Sequence, residues 1–104
     1  MNSNLHIVFS VDGYEVISAN AKKRCINDVK KRTKGKLLIL STCKERCDKE
    51  VDCKYFAFVS YAKYNACKTY VECDESSLED ADSHQAIYKK IEGKQNKWIV
   101  LVYK

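Results

Sequence analysis

The segment Cys43-Lys44-Glu45-Arg46-Cys47-Asp48-Lys49-Glu50-Val51-Asp52-Cys53-Lys54-Tyr55-Phe56-Ala57-Phe58 decides the fold, and Cys67 follows it beyond an aromatic-rich stretch. Residues four apart on a helix stand on one face, so Cys43 and Cys47 can both reach the strands that follow and pin a helix to a sheet. Thr42 and Glu45 match a capping box, in which each side chain satisfies a backbone N–H of the helix start. The helix is expected from Cys43 to about Glu50. Lys54 to Tyr61 then alternates, with Tyr55, Ala57, Val59 and Tyr61 on one face and Phe56 and Phe58 on the other, the pattern of a central strand.

Working outward, Lys63 to Asn65 reads as a turn and Ala66 to Glu72 as the returning strand. The acidic stretch after it reads as a loop, and Gln85 to Lys90 and Lys97 to Tyr103 read as strands. Upstream, Leu37 to Leu40 is expected to be a short buried strand. Leu5 to Val11 and Tyr14 to Ser18 are expected to form a β-hairpin, because Asp12-Gly13 between them is the composition of a tight turn. Lys22 to Lys36 has few large apolar residues. Ile26 and Val29 can anchor one helical turn there, and a solvated loop is an equal reading.

At 104 residues, without low-complexity or Gly/Ser-rich stretches, the chain reads as a single domain over residues 1–104. Its core is expected over about 37–90, with the hairpin at 5–18 and the last strand at 97–103. Such a domain buries roughly two-thirds of the surface it exposes when unfolded, so cross-links add much to it. Six cysteines, an even number at close spacing, favour three disulfides and an oxidising compartment. Spacing alone leaves the pairing open among fifteen connectivities.

Met1 to Asp12 has no basic start, and His6 and Ser10 break its apolar run, so it does not read as a signal peptide. The chain is therefore expected to be a segment of a longer secreted or cell-surface protein. No apolar run approaches the roughly 20 residues that span a bilayer, so any anchor is expected outside the segment.

The net charge of +5 is unevenly placed. Lys22, Lys23, Arg24, Lys30, Lys31, Arg32, Lys34 and Lys36 face Asp28 alone between residues 22 and 36, whereas Glu72, Asp74, Glu75, Glu79, Asp80 and Asp82 form an acidic stretch with no basic residue. Charge runs are commonly solvated, and the acidic stretch can offset the basic one within the fold. The functional reading of the basic residues is a salt-sensitive surface for sulfated glycan, acidic protein or acidic lipid headgroups. Nucleic acid fits less well, because aromatic residues do not interleave with the lysines. Among the seven tyrosines, Tyr55 and Tyr88 read as core, while Tyr61 and Tyr64 flank a turn and join the candidate ligand-binding residues.

Catalysis and metals find little in the sequence. His6 and His84 read as partly exposed polar residues with no nucleophile or carboxylate pair at a useful spacing. Gly13, Gly35 and Gly93 are too far apart for a phosphate loop. Three residues between the helical cysteines is not the spacing of a zinc knuckle, and an even cysteine count argues against a free catalytic thiol. No cofactor, no metal and no enzymatic activity are expected.

A helix-borne Cys-x-x-x-Cys, five residues, a cysteine heading the strand Lys54-Tyr-Phe-Ala-Phe58, and a further cysteine on the next strand resemble the core of the PAN/apple domain family. The resemblance spans about Leu37 to Lys90. It implies an α+β fold, one helix cradled by a curved antiparallel β-sheet, with Cys43 joined to Cys67 and Cys47 to Cys53. Cys25 and Cys73 remain as a third pair, which departs from the family, where the extra pair sits close to the two ends of the domain. Loops of these lengths imply about 2 to 4 kcal/mol of stabilisation each. The resemblance also implies a non-catalytic extracellular adhesion module, held rigid by its disulfides and recognising a protein or glycan partner, heparin-like chains among them. A stand-alone secreted inhibitor of a protease or receptor, and a structural spacer or oligomerisation domain, are the alternatives.

Overall fold

A computed structural model describes residues 11–91. The first arm of the expected hairpin up to residue 10, His6 and the expected strand Lys97 to Tyr103 lie outside the described residues. In chain order the elements are β1 (Tyr14–Arg24), β2 (Lys31–Gly35), helix α1 (Leu40–Lys49), β3 (Tyr55–Ser60), β4 (Asn65–Tyr70), a 3-10 turn (Glu75–Ser77) and β5 (Glu79–Lys90). The strands form one sheet in the order β1-β5-β3-β4-β2, and every neighbouring pair is antiparallel. The class is α+β, a single helix on a five-stranded antiparallel sheet.

The alternation of β3 builds a core on each side of that sheet. Phe56 points to the helix side, where it stacks on Tyr88 at 4.8 Å and meets Tyr14 edge-on at 4.9 Å, with Cys43, Cys47, Cys53 and Cys67 beside it. Tyr55, Ala57 and Val59 point the other way and pack with Ala66, Tyr70 and Ile87. A strand buried on both faces is a central one, which is where β3 lies. Disulfides secure each side. Cys43–Cys67 ties α1 to β4, Cys47–Cys53 ties α1 to the head of β3, and Cys25–Cys73 closes the opposite face. The last pair departs in position from the family and is the one that remained once the other two were set, whereas Cys43–Cys67 and Cys47–Cys53 are the pairs that the family resemblance implies.

Several sequence expectations are corrected. Leu37 to Leu40 is a turn leading into the helix, and Leu37 is 91% exposed. Four apolar residues are too few to tell a strand from a helix start, and here Leu38 and Leu40 pack inward while their neighbours face solvent. The helix therefore begins three residues earlier than the capping box predicts. Ile39 is its N-cap and supplies no side-chain bond, and Thr42 N–H already donates to the Ile39 carbonyl at 3.1 Å within the first turn.

The basic stretch is not a loop or a helical turn throughout. Lys22 to Arg24 end β1, and Lys31 to Gly35 form β2 through backbone pairing with β4, which needs no apolar side chain. The acidic stretch is only partly a loop, because Glu79 and Asp80 open β5. There Arg24 Nε meets Glu79 Oε2 and Lys23 Nζ meets Asp80 Oδ1, both at 2.7 Å, across the β1–β5 pair. Opposite charges placed directly across a strand pair favour that pairing.

Register shifts between Val16 and Lys23, with Asn20 at a φ of +25°, bulge β1 along its pairing with β5. Bulges bend a strand and increase its twist. The far end of the β1–β5 pair runs on beyond the part of β5 that pairs with β3, and Arg24 and Glu79 share a cleft with Lys68 and Tyr70 of β4, a strand that neither β1 nor β5 adjoins.

Candidate functional site

The sheet register sorts the basic residues onto different surfaces. Directly opposed residues of paired strands share a face. Arg32 opposes Lys68 and Lys34 opposes Ala66, while Lys68 opposes Ala57 and Ala66 opposes Val59, so Arg32 and Lys34 stand on the face away from the helix. Lys31 stands on the other face and lines a groove against Thr42, Arg46 and Glu50 of the helix side.

Tyr61 and Tyr64, either side of the β3–β4 turn, meet these two cations. Their rings lie 4.8 Å apart. The Arg32 guanidinium sits 5.9 Å from the Tyr61 ring centre and donates to its hydroxyl at 3.0 Å, and the Lys34 ammonium sits 5.6 Å from the Tyr64 ring centre. A ring face attracts a cation without neutralising it. Neither Arg32 nor Lys34 forms an ion pair among the described residues, so both keep N–H donors for a ligand.

The remaining candidates are placed elsewhere. Lys23 and Arg24 are engaged by Asp80 and Glu79, and Lys30 approaches Asp52 at 3.5 Å. Lys22 and Lys36 are exposed and make no ion pair among the described residues. The structure thus brings together Arg32, Lys34, Tyr61 and Tyr64, and does not bring the eight basic residues into one patch.

Sequence reasoning missed Lys68. It lies on β4 between Ala66 and Tyr70, is 8% exposed, and forms no hydrogen bond or ion pair among the described residues. Burial, followed by the charges of Arg32 and Arg24, holds its pKa below the ordinary lysine value. The alternation Ala66, Lys68, Tyr70 carries the signal, since a lysine set between two apolar residues of one strand face must bury its stem.

All six cysteines are in disulfides, so none offers a thiolate for catalysis or metal binding. Among the described residues no cluster of three or more His, Cys, Asp or Glu side chains is placed to hold a metal ion, and no helix is long and apolar enough to cross a membrane. His84 lies exposed on β5.

The fold and disulfides define a class, a small α+β domain held by three cross-links of the kind that persists in oxidising extracellular compartments. In comparisons with known proteins, no family model matches the chain, and no curated protein or solved structure matches it.

Proposed function

We propose that this domain is a non-catalytic extracellular recognition module of PAN/apple type, presented by a secreted or cell-surface protein and binding an acidic glycan. One observation carries the reading. On the sheet face away from the helix, Arg32 and Lys34 are held against tyrosine rings instead of carboxylates, so their charge is positioned yet not cancelled. Mutual ring and hydrogen-bond contacts restrain these long side chains before a ligand arrives, which lowers the ordering cost of binding. The disulfides fix the strands beneath them, because Cys43–Cys67 anchors β4, and β4 pairs with β2.

Retention on immobilised heparin tests the reading. The chain should be retained at physiological ionic strength and released by added salt, because exposed charge is screened over about 8 Å under those conditions. Passage unretained at low salt would overturn it.

A further inference from the structure

Lys68 is an unusual residue for a small domain. A lysine that is more than nine-tenths buried is normally paired. The stem of Lys68 is packed against the sheet, while its ammonium is not among the buried unpartnered atoms and keeps access to solvent at a cost in hydration. Here the neighbouring charges named by its environment are the cations Arg32 and Arg24, which raise that cost. The side chain lines a cleft of about 250 Å³ together with Arg24, Cys25, Asn27 and Tyr70. Two carboxylates also line the cleft. Glu79 is engaged by Arg24 Nε at 2.7 Å, and neither Glu79 nor Asp28 bonds to Lys68.

Arg24 is thus held by a carboxylate, whereas Lys68 is bonded by none among the described residues, so an anion placed on its ammonium gains a charge-assisted hydrogen bond that no protein group already supplies. We propose that Lys68 is the base of an anion subsite, with Arg32 beside it, that takes one sulfate group of a sulfated polysaccharide. This inference rests on the recognition-module reading and adds the chemical group recognised and the residue that recognises it.

The arrangement favours a repeating polyanion over a single sulfated side chain. Arg32 and Lys34 are two residues apart on β2, roughly 7 Å along the strand, and Lys68 stands directly across from Arg32. Cations at several positions of one face can engage several sulfates of one chain, whereas a lone sulfotyrosine of a protein partner engages one position. The cleft walls are fixed independently of any ligand, since Cys25 and Cys73 are joined beside it and Asn27 Oδ1 accepts from Asp74 N–H at 2.8 Å.

The test titrates the ¹⁵N-labelled chain with sodium sulfate against sodium chloride at equal ionic strength. Sulfate should give saturable amide shifts at Lys68, Arg32 and Arg24 that chloride does not reproduce. Lys68→Met, which keeps the apolar stem, should weaken sulfate binding roughly 10-fold or more, as loss of a charged hydrogen bond implies, and Lys68→Arg should retain most of it. Matched circular dichroism and thermal midpoints of both variants establish that they fold. Shifts identical in sulfate and chloride, or unchanged affinity in Lys68→Met, would overturn the subsite while leaving heparin retention free to stand. A second arm compares a heparin hexasaccharide, its desulfated form and a sulfotyrosine peptide. Competition with sulfate by the sulfated hexasaccharide alone supports the proposal, and tighter binding of the peptide or equal binding of the desulfated sugar refutes it.

Discussion

The Tyr14 hydroxyl donates to Asp48 Oδ1 at 2.8 Å, joining β1 to the helix across 34 positions of sequence. Lys44 Nζ holds the other carboxylate oxygen at 2.7 Å, and Lys90 Nζ of β5 donates to the Cys47 carbonyl at 2.9 Å, in the last turn of the helix. Tyr14→Phe keeps the edge-on contact with Phe56 and removes only the hydroxyl bond. It should cost about 1 kcal/mol, read as a lower urea midpoint at unchanged slope. Tyr14→Ala empties the ring site and should cost about 3 to 5 kcal/mol, as aromatic truncations in cores do.

Asp48 should also shape the acid limb of stability. Partial burial pushes its pKa up, but hydrogen bonds from Lys44 and Tyr14 and the charges of Lys44 and Lys90 outweigh that and hold it below the ordinary carboxylate value. A depressed folded pKa means that the unfolded chain binds the proton first as pH falls. The contribution is therefore complete above the unfolded value near 4 and is lost as pH drops through the folded value. Asp48→Asn should show a shallower decline in urea midpoint below about pH 4 than the parent, with a difference under about 1 kcal/mol because the carboxylate is partly exposed.

At alkaline pH the tyrosines reverse the sign. Burial pushes Tyr70 up to about 12 and raises Tyr88, while burial together with the bonded carboxylates Asp48 and Glu75 raises Tyr14 and Tyr55. A raised folded pKa gives stability that is complete below the unfolded value of about 10 and is lost as pH rises toward the folded value. Spectrophotometric titration should therefore show these four phenols, of seven in the chain, ionising only with or after the alkaline loss of secondary structure. Four additional phenols ionising near pH 10 in the folded protein would contradict their packing.

The strands and helix that depend on side-chain periodicity were legible in the sequence. Alternation alone put Phe56 and Phe58 on one face of β3 and Tyr55, Ala57, Val59 and Tyr61 on the other, as observed, but not which of the two faces meets the helix. The basic residues were misread because the features that order them are not periodic. β2 is a strand through its backbone pairing with β4, and the β1–β5 extension is set by bulges and by the pairing of Arg24 with Glu79 and Lys23 with Asp80. For the same reason the candidate site was only half visible. Tyr61 and Tyr64 could be named as turn residues, but their meeting with Arg32 and Lys34 depends on the register of β2 against β4, and a local reading of charge runs does not contain that register.

Removal of the disulfides should follow loop length. Cys25–Cys73 encloses 48 positions and Cys47–Cys53 only 6. Loop-closure entropy then assigns about 4 kcal/mol to the first and about 2 kcal/mol to the second. Both pairs are buried, so replacing each with alanines removes a similar amount of packed sulfur and leaves the loop difference exposed. Denaturation should find the Cys25→Ala/Cys73→Ala double variant the weaker by about 2 kcal/mol. The reverse order would mean that the short helix-to-β3 link holds the native helix geometry more than it restricts the unfolded chain.

The ordering of the basic residues gives the sharpest functional prediction. Arg32→Ser/Lys34→Ser and Lys22→Ser/Lys36→Ser each remove two positive charges from exposed positions, so binding governed by net charge alone would weaken equally in both. Placement separates them, because Arg32 and Lys34 are stacked on tyrosines at the proposed site whereas Lys22 and Lys36 stand outside it. Calorimetric affinity for a heparin hexasaccharide at fixed ionic strength should fall roughly 10-fold or more for the first variant, the loss of about 1.4 kcal/mol, and by no more than about 2-fold for the second. Surface substitutions of this kind change stability by only about 0.5 kcal/mol, so both proteins should remain folded during the measurement. Equal losses in the two variants would replace a defined face with diffuse attraction.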